Sequence, residues 1–450
     1  MKAAISILAG VLGVVGCSSS DTSNGNDLAM PAGGSDMAAS APDLTACTPN
    51  TSQCAGDTLV VCGADGGVPA TTTCSFGCVG SGAGPHCQSL VPTQPVSAND
   101  LTFAGLSPVT LTSTVVFDTA TGAISDAGGA TIRDANVSVS PSAVAEVHQG
   151  IAFHTLETNF VIWVFGDLNV AAGAQVLFKG GARVAIASQT SLSIRGVVDA
   201  RGYDFSGATP ALCSGTVGGP GGGIGGAATM AGGPAGVGGA GSASGGGGGG
   251  DGDVGGNGGG GTMGGPIRGT QTLSGGVVFA GGGGGGPTGV GGGAGGGLQL
   301  VVLGPVVIDG TGAARGGINL GGCGGKANGG GGGAGGELLI EAATIELRAN
   351  GGLATNGGGG GGATSGDGQP GALATTAAAG GTGGGMGGVT GSLAGANSST
   401  AGGGGASGRV RLSTRSGSAT IDAAAVLSPA LTDKNSLQEP TATAGMVTLQ

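Results

Sequence analysis

Three short apolar phrases, repeated in a fixed order, constrain this chain more than any other feature. Val184-Ala185-Ile186, Leu192-Ser193-Ile194 and Ala200-Arg201-Gly202 return as Leu298-Gln299-Leu300, Val306-Val307-Ile308 and Ala314-Arg315-Gly316. A third copy, slipped by one residue at a turn, reads Leu338-Leu339-Ile340, Ile345-Glu346-Leu347 and Leu353-Ala354. A fainter fourth reads Val410-Arg411-Leu412, Thr420-Ile421 and Val426. Apolar residues alternate within the phrases, which is the period of a strand and not of a helix.

Glycine-rich insertions separate the copies, at 203–297, 316–336 and 357–408. Each ends in a similar phrase, such as Gly331-Gly332-Gly333-Ala334-Gly335-Gly336, and a strand phrase follows at once. Glycine supplies 114 of 450 residues, far above its usual share of about 7%. At about 1 kcal/mol per residue lost in a helix, that density excludes helical architecture. Short strands in units of about twenty residues, with excursions at one corner, predict a mainly β fold. The expected form is a right-handed parallel β-helix interrupted by long glycine-rich loops, each coil burying the apolar face of the last. A β-sandwich or jelly roll is the alternative; it explains the short strands but not the matched copies. The tracts read either as floppy surface loops or as polyproline-II-like strands packed side by side. Collagen is excluded, because the runs lack a Gly-X-Y period.

The body spans 89–430, with 431–450 as a C-terminal cap or tail. A solenoid needs its ends covered, and the polar strands before Phe160 and that tail are the candidates. Phe160-Val161-Ile162-Trp163-Val164-Phe165 is apolar on both parities and reads as a strand buried on both faces.

Ahead of the body, Lys2 and the apolar run from Ala3 to Val15 have the layout of a signal peptide over 1–16. The run is shorter than the roughly 20 residues of a spanning helix. Val14-Val15-Gly16-Cys17 resembles the lipobox of bacterial lipoproteins, which implies cleavage before Cys17 and a lipid on its thiol. An ordinary signal-peptidase site near Cys17 is the plainer alternative. In lipoprotein sorting an Asp after the lipidated cysteine favours the inner membrane; here Ser18 follows, so the resemblance implies an outer-membrane lipoprotein, at the cell surface. Residues 17–45 are polar and small, too poor in apolar side chains to fold alone, and read as a flexible tether.

A cysteine module follows over 46–88, with Cys47, Cys54, Cys62, Cys74, Cys78 and Cys87. Such density in an exported chain implies three disulfides, with the pairing open. A zinc set drawn from Cys74, Cys78, His86 and Cys87 is the rival reading. Cys213 and Cys323 are the only cysteines outside the module and the anchor, so they are expected to bond to each other. The run Cys47-Thr48-Pro49, Cys54-Ala55-Gly56, Leu59 to Cys62 and Cys74 to Cys78 resembles a short cysteine-rich repeat of myxobacterial surface proteins. The whole layout resembles the glycine-rich surface lipoproteins of those bacteria. That resemblance implies a location and carries no assigned activity.

Chemistry is sparse. The net charge is −11 and the 14 Lys and Arg form no basic patch, which argues against a nucleic-acid partner. Gly-x-Gly-x-x-Gly occurs often, as it must in such a composition, but never opens a helix after a strand, so no cofactor is expected. Asp251, Asp253 and Asn257 place three oxygen ligands in a glycine loop, a faint calcium candidate, with turn chemistry as the plainer reading. Asp199, Arg201, Asp309, Arg315, Glu337 and Glu341 would matter only if the fold gathered them into a groove, as a polysaccharide lyase or hydrolase requires. The histidines, His86, His148 and His154, have no Gly-x-Ser-x-Gly partner. The expected function is a lipid-anchored, non-enzymatic surface protein with a structural or adhesive role. Its partners would be the membrane, through the lipid, and extracellular polysaccharide or neighbouring surface components. A carbohydrate-binding or polysaccharide-cleaving β-helix is the alternative, although one Trp and one Tyr leave little for sugar stacking.

Overall fold

The computed structural model describes residues 48–450 apart from 83, 142, 228–229, 234–238, 241–244, 269–272, 274–281, 283, 286–289, 313 and 390–399. The fold is mainly β. Among the described residues no helix is long and apolar enough to cross a membrane.

Most strands stack in three parallel columns that the chain visits in turn. The first column holds Phe160–Phe165, Arg183–Ser188, the leading part of Gly297–Ile308, the leading part of Glu337–Leu347, Arg409–Thr414 and Ala442–Met446. The second holds Pro108–Leu111, Asp167–Val170, Leu192–Ile194, the trailing parts of the two long strands and Thr420–Ile421. The third holds Thr114–Asp118, Gln175–Lys179, Val197–Asp199, Gly316–Asn319, Gly351–Ala354 and Val426–Ser428. Rounds at 108–118 and 160–179 therefore precede the four legible in the sequence, and Ala442–Met446 adds a last rung.

Alternation decides which side chains meet. Val161, Trp163, Val184, Ile186, Leu298, Leu300, Leu338, Ile340, Val410 and Leu412 face inward and form one continuous core with Val198, Ile318 and Leu353. Each such side chain contributes about 1.5–3 kcal/mol on burial, and none could do so in a single unstacked round.

One element of the sequence repeat is corrected. Ala314-Arg315-Gly316 is not the counterpart of Ala200-Arg201-Gly202, because Val198 pairs with Ile318 and Asp199 with Asn319. The turn after Ile308 is longer than the one after Ile194, and the inward apolar residue, not the local likeness, sets register. For the same reason Gly316–Asn319 is a strand of the third column, and the second insertion begins after it.

Phe160–Phe165 is buried along its whole length. Its odd-numbered residues join the core, while Phe160, Ile162 and Val164 pack outward against Leu90, Val96, Leu101 and Val447. The leading segment of the body, from Leu90 to Leu101, thus forms a strap over the outer side of the first column. Thr448–Leu449 pairs antiparallel with Leu90–Val91, so the tail completes the same cover.

The leading end of the core is closed by antiparallel strands, Ile124–Asp126 and Thr131–Arg133 on one side, Glu146–His148 and Ile151–Glu157 on the other. Arg133 is wholly buried there. Its guanidinium donates to the carbonyls of Gly122, Asp134, Glu146 and Ile151 and to Asn136 Oδ1, and lies 5.3 Å from the centre of the Phe153 ring. A planar fork of five donors satisfies the loose carbonyls at the end of such a stack in a way no apolar residue could.

Over their described residues the glycine tracts are bonded backbone to backbone, not floppy loops. Gly331 and Ala334 donate to Gly285 and Gly282, Gly332 and Gly335 to Gly403 and Ala406, and Gly333 and Gly336 to Cys323 and Leu320, all at 2.7–2.9 Å. Consecutive amides thus point to three different neighbours, and the direction recurs every third residue. The segment 357–362 repeats the pattern toward Gly388 and Gly385, Gly333 and Gly330, and Gln369 and Gly366. Strands with three residues per turn and no internal hydrogen bonds produce this rotation, as polyproline II does. A Cβ on Gly331, Gly332 or Gly333 would come within 3.0 Å of a neighbouring backbone oxygen, so close approach is what demands glycine here.

Candidate functional site

Two of the three outer flanks are covered. The strap and tail lie over the first column. Over the third, Asp199, buried with no exposed surface, pairs with Arg201 and accepts from the Tyr203 hydroxyl at 2.7 Å. Burial, and the carboxylate beside it, hold the Tyr203 phenol well above its ordinary range. Asn356 donates to the carbonyls of Ala372 and Ala374, and Ser428 donates to Asn356 Oδ1. These polar pins hold glycine-tract backbone against the third column.

The second column is different. Its outward row, Thr110, Asn169, Ser193, Val307, Glu346 and Thr420, is half-buried or exposed. Along it runs a concavity of about 500 Å³ whose lining includes Ser191, Ser193, Arg195, Asp309, Thr311 and Arg348. The size lies within the range of small-ligand sites.

Arg195, Asp309, Arg348 and Asp422 are each the first residue after a second-column phrase. Their amides donate to Val170, Ile194, Ile308 and Leu347, one rung back in each case. The turn therefore carries a ladder of alternating charge, with rungs about 4.8 Å apart. Arg348 is held by Glu346 at 2.8 Å, and Asp309 Oδ1 accepts from the Gly310 amide. The Arg195 side chain, exposed at the rim, has no hydrogen-bond or ion-pair partner among the described residues. Every other described arginine is engaged: Arg133, Arg201, Arg315, Arg348, Arg409, Arg411 and Arg415 by hydrogen bonds, Arg183 by Glu157, and Arg268 as well. The sequence signal for this ladder was its constant place after each phrase, hidden by the change of residue type between copies.

The residues singled out in the sequence do not converge. Asp199 and Arg201 meet each other, Arg315 donates to the Gly351 carbonyl, and Glu341 accepts from Thr93 and Gln299 beneath the strap. Burial raises the Glu341 carboxyl above its usual range. Asp309 alone lines the groove. Asp253 accepts from the amide and hydroxyl of Ser436 and so ties the tail to the first tract. Asn257 instead accepts from the Gly264 amide. Asp251 is wholly buried, and loss of solvent pushes its carboxyl up to about 7 despite nearby Arg409 and Arg268. No cluster of three or more His, Cys, Asp or Glu side chains able to hold a metal occurs among the described residues.

In the cysteine module, Cys54 bonds Cys78 and Cys74 bonds Cys87, and Cys62 is disulfide-bonded too. Cys74, Cys78 and Cys87 therefore carry no thiolate for zinc. Cys213 is bonded to Cys323, joining the first tract to the second. Cys17 and Cys47 lie outside the described residues. His86 contacts the Gly84 carbonyl, His148 contacts Glu146, and His154 lies 3.0 Å from Asp100.

Compared with known proteins, the chain matches no family model, no curated protein and no solved structure.

Proposed function

We propose that this chain is a lipid-anchored outer-membrane surface protein whose role is structural or adhesive and not enzymatic, with its body a right-handed parallel β-helix. The observation that carries this reading is the union of two scaffolds: stacked strand columns, and corner excursions cross-bonded through their own backbones. Three columns visited in one order, with long excursions leaving after the third, match the solenoid reading. Backbone bonds in three directions give the excursions stiffness without side chains. Such a body, at the end of a polar tether and a lipid on Cys17, would hold a fixed face away from the membrane.

The test is direct. Cells expressing the full chain are labelled with a palmitate analogue and fractionated, and intact cells are treated with protease. Label in the outer-membrane fraction, lost on Cys17→Ala, together with protease-accessible protein, is the expected result. Unlabelled protein free in the periplasm would overturn it.

The groove favours a second reading, a carbohydrate-binding β-helix, because its lining combines hydroxyls with separate cationic and anionic groups.

A further inference from the structure

We infer that the second-column groove binds an acidic polysaccharide, one whose sugars carry both carboxylates and free hydroxyls. This deepens the adhesive reading above and rests on it. Three observations converge. The groove lies on the flank that no described residue of strap, tail or glycine tract covers. At its rim stands Arg195, the one described arginine whose guanidinium is uncommitted. The charged ladder at the same turn alternates Arg195, Asp309, Arg348 and Asp422.

That alternation selects the ligand. An uncommitted guanidinium fits a carboxylate in a two-point contact. Asp309, one rung on, can only accept, and with Oδ1 taking the Gly310 amide its second oxygen faces donors from the ligand. A sugar acid supplies both on neighbouring atoms. A neutral glycan offers Arg195 no counter-charge, and a run of acidic side chains offers Asp309 no hydroxyls. Arg348, two rungs from Arg195 at about 9–10 Å, is already paired with Glu346, so the carboxylate contact falls to Arg195. Ser191 and Ser193, on Arg195's own rung, add hydroxyls to the lining.

The probe is polygalacturonate, with dextran as the neutral comparison and polyglutamate as the acidic peptide. Binding is measured by calorimetry on the full chain in detergent, at low and at physiological salt. Polygalacturonate is expected to bind, more weakly at higher salt, with dextran and polyglutamate silent. Arg195→Ala should weaken binding about tenfold or more, and Arg195→Glu should abolish it, while both keep the melting temperature because the side chain is exposed. Arg195→Lys should recover only part, since an ammonium lacks the fork. Equal binding by wild type and Arg195→Glu, binding of polyglutamate as strong as that of polygalacturonate, or no binding of polygalacturonate overturns the inference. None of these outcomes alters the Cys17 labelling result, so failure here is distinguishable from failure of the anchored-surface reading.

Discussion

The amide of Gly335 donates to the carbonyl of Ala406 at 2.9 Å, and this bond lies just ahead of the point where Glu337 pairs with Arg409 in the first column. In a parallel pair an amide donates to the carbonyl one residue before its partner, so this bond sets Gly335 opposite Ser407, two residues ahead of Glu337 and Arg409 alike. Register therefore passes without a break from the glycine lattice into the strands. Ala294, Ala334 and Ala406, all buried, mark the same level in three successive tracts, the amide of Gly295 donating to Ala334 as that of Gly335 does to Ala406.

Within that lattice a methyl group is an intruder. Gly332→Ala should destabilise the protein by about 1–3 kcal/mol, because its Cβ would press on the Gly358 carbonyl. Gly181, with open space at its Cβ position, should accept alanine within about 0.5 kcal/mol. Urea unfolding of the two variants checks this; equal midpoints would count against a close-packed lattice.

Cys213 and Cys323 close a loop across a sequence separation of 110. Replacing both with serine should cost about 2–4 kcal/mol, seen as a lower melting temperature, and reducing agent should not lower that of the double variant further through this bond.

Arg133 holds the leading end of the core by five hydrogen bonds. Arg133→Met leaves several buried carbonyls without donors and should cost about 3 kcal/mol or more. Lysine, with three donors and no planar fork, should restore only part of the loss. Amide exchange over 146–157 is the local readout, and should rise before exchange in the later rounds does.

Asp251 makes stability depend on pH. Its folded-state pKa of about 7 lies above the ordinary 3.8, so the folded form retains a proton that the unfolded chain gives up. The favourable contribution is complete at low pH and is lost as pH rises from about 4 to 7. Glu337, Arg409 and Arg268 are the charged groups that act on it. The melting temperature of wild type should therefore fall across that window relative to Asp251→Asn, measured by calorimetry at each pH. Parallel curves for the two proteins would refute the assignment.

The sequence alone showed four rounds of the first two columns, because alternating residues such as Leu298, Leu300, Val306 and Ile308 can bury only one face and so fix their own register. It also showed the two-sided burial of Phe160–Phe165, from its unbroken apolar run, and paired Cys213 with Cys323 by counting. The third column was misaligned there, since the likeness of Ala200-Arg201-Gly202 to Ala314-Arg315-Gly316 was local and Ile318 carried the true register. Only the tertiary structure decided where the glycine tracts go. A run without side chains has no pattern to read, and the neighbours of Gly331, Gly332 and Gly333 are chosen by backbone donors and acceptors that come within reach once the rounds have stacked. The open flank has the same origin: whether Arg195 finds a partner depends on what strap, tail and tracts leave uncovered, and that is settled by packing among segments distant in the chain.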